Sequence, residues 1–156
     1  KASLRLKTFR LCYGAAGTDK NIGFKDIRDA FLELLAGGRV KAEFASDIST
    51  ALSSPPRGFL KTLLNLLILA EECNHGAGSV AVAALPGGKG ARVTVIAENA
   101  RLRDGAEAAL KGEASADDLD PRSVHPYVTG KFAASFGFAL EWDAPADGRL
   151  EFRLAF

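Results

Sequence analysis

The run from Phe59 to Cys73 sets the tightest limit on what this chain can fold into. It reads Phe-Leu-Lys-Thr-Leu-Leu-Asn-Leu-Leu-Ile-Leu-Ala-Glu-Glu-Cys, a helix that is apolar nearly all round. Such a helix has no broad face to give to water, so other elements must surround it at the centre of a domain. Its most apolar part, Leu63 to Ala70, is interrupted by Asn65 and is far too short to span a bilayer. The remainder of the 156 residues, 47% of them apolar overall, suffices to wrap that helix in one domain with a real core. With 25% charged residues, the composition excludes disorder, collagen-like repeats and low complexity. A net charge of +1 gives no overall electrostatic reason to expect nucleic acid or an anionic membrane as partner.

Cys12 and Cys73 are the two cysteines. They lie far apart, form no metal-type cluster and read as buried thiols in a reducing compartment. No secretory apolar region opens the chain, so a cytoplasmic location is expected, with no membrane partner. The chain starts at Lys1 and contains no methionine. It is therefore expected to be a piece of a longer protein.

Other elements follow from spacing. Lys1 to Tyr13 is helix-compatible: Leu6, Phe9 and Tyr13 share a stripe, while Lys1, Arg5, Lys7 and Arg10 can face water. Gly14-Ala-Ala-Gly17 ends it. A second helix is predicted from Phe24 to Leu35, with Phe24, Ile27, Phe31 and Leu34 or Leu35 buried and Gly37-Gly38 as its stop. Val40 to Phe44 alternates as a short strand, and Ser53 to Gly58, with paired prolines, is a turn. Ser79 to Leu85 and Ala91 to Ala97 flank Pro86-Gly-Gly-Lys-Gly90 as an antiparallel hairpin. A short helix falls within Arg101 to Lys111, and Asp120-Pro121 predicts the start of another that runs to Phe136 unless Pro126 shifts it. Phe138 to Trp142 and Leu150 to Phe156 are the last two strands, joined by Ala144 to Gly148. The order implies α+β: a two-layer sandwich of a mixed, mostly antiparallel sheet with helices on one face.

General catalytic motifs are missing. There is no nucleophile elbow, zinc-protease helix, paired-cysteine motif or Walker loop. Pro86 to Gly90 resembles a phosphate cradle, but no Ser or Thr follows Lys89 and a strand resumes, so it reads as a turn. His75 lies just past a helix end, where its side chain suits exposed carbonyls. His125 precedes Pro126 without an acidic partner in sequence and reads as structural.

The informative stretch is Leu60-Lys-Thr-Leu-Leu-Asn-Leu-Leu-Ile-Leu-Ala70. It resembles the asparagine-box helix of histidine-kinase ATPase domains, whose usual form is L-L-N-L-L-x-N-A. Asn65 matches the first asparagine; the second, which in that family holds magnesium–nucleotide, is replaced by Leu69. An apolar side chain cannot coordinate a cation that takes oxygen ligands. Val93-Thr-Val-Ile-Ala-Glu-Asn-Ala-Arg-Leu102 sits where those kinases carry V-x-V-x-D-x-G-x-G-I. The adenine-reading aspartate becomes Ala97, and the two glycines become Asn99 and Arg101. Val124 to Phe156 matches the kinase C-terminal helix and last strands without the second glycine-rich lid.

This combination resembles the ChpT-type bacterial histidine phosphotransferases, in which a helical hairpin precedes a degenerate kinase-like (GHKL/Bergerat) domain. The similarity runs through Ala2 to Gly17, Leu63 to Ala70 and Leu119-Asp-Pro-Arg-Ser-Val-His-Pro-Tyr127. It implies that residues 1–17 are the end of the second helix of a dimerisation hairpin and residues 18–156 the degenerate ATPase-like domain. The family's phosphorylated histidine lies in a pattern like S-R-x-C-H-D-L that this chain lacks, so the acceptor is expected upstream and no catalytic residue within the chain. The resemblance further implies a homodimer that exchanges phosphoryl groups with response-regulator receiver domains, with a hybrid histidine kinase as upstream donor. No cofactor is implied except magnesium on the receiver. Arg101 and Arg103, on the loop after a sheet strand, are the candidate partner-binding residues, since a receiver's active end is acidic; solubilising loop charge is the plain alternative. Arg5, Lys7 and Arg10 are weaker candidates. Two other readings stay open: an active histidine kinase or GHKL ATPase, and a non-catalytic dimeric scaffold that binds receivers.

Overall fold

The structure is a computed structural model and describes Thr8 and residues 10–13 and 22–156. The exit at Gly14 to Gly17, the division between residues 17 and 18, and Arg5 and Lys7 lie outside the described residues. Thr8 and residues 10–13 are helical.

Helix α1 (Phe24–Leu35) matches its predicted span, because Phe24, Ile27, Ala30, Phe31 and Leu35 recur at helical spacing and are all buried. The Asp26 carboxylate accepts from the Gly23 N–H at 2.8 Å, which satisfies one of the donors a helix start leaves open. Strand β1 (Arg39–Phe44) follows the Gly37 turn. A short helix, α2 (Ile48–Ala51), comes next. One turn carries no periodic signal, which is why the sequence did not reveal it.

Helix α3 (Phe59–Glu72) occupies the centre, as its composition requires. Every residue from Phe59 to Leu67 is buried, including Lys61, Thr62 and Asn65. Gly58 enters it at φ +86°, and a Cβ there would stand 2.5 Å from the Phe136 ring. Only glycine meets both demands.

Strands β2 (Ala77–Ala84) and β3 (Gly90–Ile96) form the predicted hairpin. The 3₁₀ turn Pro86–Gly88 joins them, closed by the Leu85 N–H donating to the Gly90 carbonyl at 2.9 Å. Helices α4 (Ala106–Leu110) and α5 (Val124–Phe136) precede β4 (Ala139–Ala146) and β5 (Arg149–Ala155). The five strands lie in the order β1-β2-β3-β5-β4, with β1 parallel to β2 and every other pair antiparallel. Val80, Val82, Val93, Val95, Leu150, Phe152 and Leu154 are buried toward the helices. The opposite face is polar: Arg153 bridges Asp143 at 3.2 Å and Glu151 at 2.9 Å. The result is a two-layer α+β fold with a mixed sheet.

Most predicted boundaries shift by a residue or two, and two move further. Asp120-Pro121 does not start α5; Asp120 instead caps a turn, its carboxylate accepting from the Arg122 N–H at 2.8 Å and the Ser123 N–H at 3.0 Å. These bonds hold its carboxyl below the usual range. The helix begins at Val124, which puts Pro126 in the first turn, where a missing N–H costs nothing. Strand β4 continues through the predicted turn to Ala146, with an irregular register between Asp143 and Ala146 around Pro145.

Candidate functional site

The loop from β3 to α4 carries both predicted partner-binding residues, and both are exposed. Among the described residues neither guanidinium forms an ion pair within 4.0 Å. The loop's backbone is nevertheless fixed by the C-terminal end of α3. The Arg101 N–H donates to the Cys73 carbonyl at 3.3 Å, and His75 Nε2–H donates to the Arg101 carbonyl at 3.0 Å. His75 therefore does more than end a helix: it reaches across to the loop. It does so at φ +51°, the left-handed region that non-glycine residues seldom occupy.

The turn beneath that contact is tightly packed. Asn74 donates to the Ala70 carbonyl at 2.9 Å, and a Cβ at Gly78 would lie 2.3 Å from Asn74 Oδ1 and 2.7 Å from the Ala97 Cβ. Burial and the neighbouring Glu71 push the Glu72 carboxyl up, and the Arg103 charge pulls it back. Burial pushes the Cys73 thiol up to about 12, so it is inert as a nucleophile at neutral pH.

Of the two box positions on α3, Leu69 is buried in the core at 2% exposure and offers no oxygen ligand. Asn65 is fully buried and is committed to the protein itself. Its Nδ2 donates to the Lys61 carbonyl at 2.9 Å and to the Cys12 carbonyl at 3.1 Å, while the Asn65 carbonyl accepts from His125 Nε2 at 2.8 Å. The other ring nitrogen, Nδ1, lies 2.5 Å from the Tyr13 hydroxyl. Because Nε2 faces a carbonyl it carries the hydrogen, so the neutral ring accepts from Tyr13 at Nδ1. Burial holds the His125 imidazole below its usual pKa, partly offset by the Asn65 carbonyl. A cavity of about 270 Å³ lined by Tyr13, Ile68, Glu71, Glu72, Pro121 and His125 opens beside this group. The sequence marked Asn65 and His125 singly; their juxtaposition with residues 12 and 13 has no local signature. Among the described residues there is no group of His, Cys, Asp and Glu that could hold a metal ion, and no helix long and apolar enough to cross a membrane.

This fold is that of histidine-kinase ATPase domains. The structure superposes on a mycobacterial sensor histidine kinase, MprB, with a TM-score of 0.52, 13% identity, and coverage of 85% of this chain and 93% of that one. It superposes similarly on the histidine kinase domain of the blue-light activated kinase from Erythrobacter litoralis, at TM-score 0.53 and 12% identity over 98% of this chain and 73% of the other. A solved bacterial phosphotransferase is more similar: TM-score 0.76 and 26% identity over 98% of this chain and 72% of that protein. None of the curated proteins matches. The family described as histidine phosphotransferase C-terminal domain matches residues 24–148. The chain belongs to this family of ChpT-type histidine phosphotransferases.

Proposed function

We propose that the protein passes phosphoryl groups between response-regulator receiver domains of a bacterial phosphorelay, through a histidine upstream of Lys1, without binding ATP. The observation that carries this reading is the pairing of a kinase-type fold with apolar residues at its nucleotide positions. Leu69 is core and Ala97 offers no hydrogen-bond acceptor from its side chain. Membership of the histidine phosphotransferase family supports the transfer itself.

In this reading the imidazole lone pair attacks the phosphorus of the receiver's aspartyl phosphate. A P–N bond forms as the P–O bond breaks, and the carboxylate leaves with the electron pair. Magnesium, held by the receiver and not by this chain, would supply charge neutralisation at the transferring group. The domain described above would dock and orient the receiver, with Arg101 and Arg103 facing its acidic end; positioning of this kind accounts for much of the rate in such transfers. A homodimer built on the preceding hairpin, a hybrid histidine kinase as donor and a cytoplasmic setting complete the proposal.

The test is phosphoryl transfer with the longest natural form of the protein. A phosphorylated receiver domain serves as donor in one arm and magnesium–ATP in the other. Acid-labile label from the receiver and none from ATP is the expected result. Label from ATP alone would make the protein a kinase, and receiver binding without label from either donor would make it a scaffold.

A further inference from the structure

The transfer reaction makes no use of Asn65 and His125, yet the described polar contacts between the terminal helical segment and the domain converge on them. Asn65 is fully buried on α3, and one of its two amide hydrogens goes to the Cys12 carbonyl. His125, at the start of α5, divides its ring between the domain and that segment. Nε2 is tied to the Asn65 carbonyl at 2.8 Å, and Nδ1 accepts from the Tyr13 hydroxyl. The Tyr13 ring meets the His125 ring edge to face, with centroids 6.1 Å apart.

We propose that Asn65 and His125 form a latch that holds the segment of residues 10–13 at one height and one rotation on the α3–α5 face, with His125 as its positioning residue. Apolar contact alone leaves a helix free to slide or roll, because it is non-directional. Hydrogen bonds to a backbone carbonyl and to a hydroxyl are directional. Breaking the Asn65 bond to Cys12 also leaves a buried group unpaired, so the docked position is preferred over its neighbours. The proposal accounts for an otherwise odd pattern: the first asparagine of the box is kept while the second has become core. Asn65 has work here that needs no nucleotide.

Two native thiols make the latch measurable. Cys12 sits on the docked segment and Cys73 at the end of α3; both are fully buried or nearly so, at 0% and 2% exposure. Release of the segment exposes Cys12 and leaves Cys73 covered, whereas unfolding exposes both. Alkylation by N-ethylmaleimide near neutral pH, with each site read by peptide mass spectrometry, separates the two events. Tyr13→Phe keeps the His125–Asn65 bond and removes the hydroxyl that His125 accepts from; His125→Phe removes both. Each is expected to speed Cys12 labelling by about tenfold, the effect of losing about one hydrogen bond, with the Cys73 rate unchanged. His125→Gln offers an amide N–H to Asn65 and an amide oxygen to Tyr13, so it should label within about twofold of the natural protein. Cys12 and Cys73 accelerating together would overturn the proposal, as would a Cys12 rate that none of the variants moves. The readout involves no phosphoryl transfer, so its outcome is separate from that of the proposed activity.

Discussion

At His125 the choice of protonation state is made by burial and by two partners, and this gives the protein a pH dependence of predictable sign. The ring's pKa in the fold lies below the ordinary 6.5, first because burial disfavours the cation. The groups facing it are the Tyr13 hydroxyl from the terminal segment, the Asn65 carbonyl from α3, and, across the adjoining cavity, Glu71 and Glu72. Between the lowered value and about 6.5 the unfolded chain binds more protons than the folded one, so stability rises with pH through that window. The contribution is fully present above about 6.5 and is lost as pH falls through the folded-state value. Glu72, raised by its own burial, acts with the opposite sign, since its contribution is present below the usual 4.5 and lost as pH rises through its raised value. Asp29 and Asp120 are lowered from 3.8, so their contributions are lost only below about that pH. A melting-temperature series from pH 5 to pH 7 should rise in the natural protein and rise less in His125→Gln, the difference between the two curves isolating the imidazole. Parallel curves would show that His125 titrates alike in both states.

At the scale of elements, the contact between α4 and α5 depends on one missing side chain. A Cβ at Gly130 would lie 2.1 Å from the Leu110 carbonyl oxygen, so the backbones touch where α5 passes the end of α4. Gly130→Ala gains helix propensity of about 1 kcal/mol. Overpacking of this kind costs about 1–3 kcal/mol, and contact with a carbonyl rather than a mobile side chain gives little room for relief. The variant should melt lower than the natural protein; an unchanged or higher melting temperature would mean that α4 moves aside freely. Elements as such were largely legible: α1 and α3 announce themselves because long apolar periods outvote local exceptions. The start of α5 was misplaced because Asp-Pro is a good helix opening and an equally good turn, and only the bonds to Arg122 and Ser123 decide between them. The parallel pairing of β1 with β2 was unreadable from either strand, since register is a property of the pair. The candidate loop was legible from its place after a strand, whereas the bond from Asn65 to the Cys12 carbonyl was not, because every residue carries a carbonyl.

For the whole molecule, the question is which part of the surface a partner can meet. Part of the sheet's polar face neutralises its own charge, in the pairs among Arg92, Arg153, Asp143 and Glu151. The loop of Arg101 and Arg103 differs: among the described residues its two guanidinium groups form no such ion pairs, while its backbone is pinned to α3 through Cys73 and His75. Exposed charge on a fixed backbone suits the steering of an acidic partner, because the field keeps its direction during encounter. Reversing both charges, Arg101→Glu with Arg103→Glu, removes this attraction and adds repulsion, and it leaves the core untouched. Receiver phosphorylation is therefore expected to slow by about tenfold or more at low ionic strength, with the deficit shrinking as salt screens the loop. The melting temperature should fall only modestly, because both side chains are exposed and the reversal reaches the fold only through the Arg103 charge beside Glu72. Removing the His75 bond to the loop supplies the complementary case, in which the charges remain and their placement loosens. A double reversal that transfers phosphoryl groups at the natural rate at every salt concentration would remove this loop from the docking surface and leave its arginines as solubilising charge.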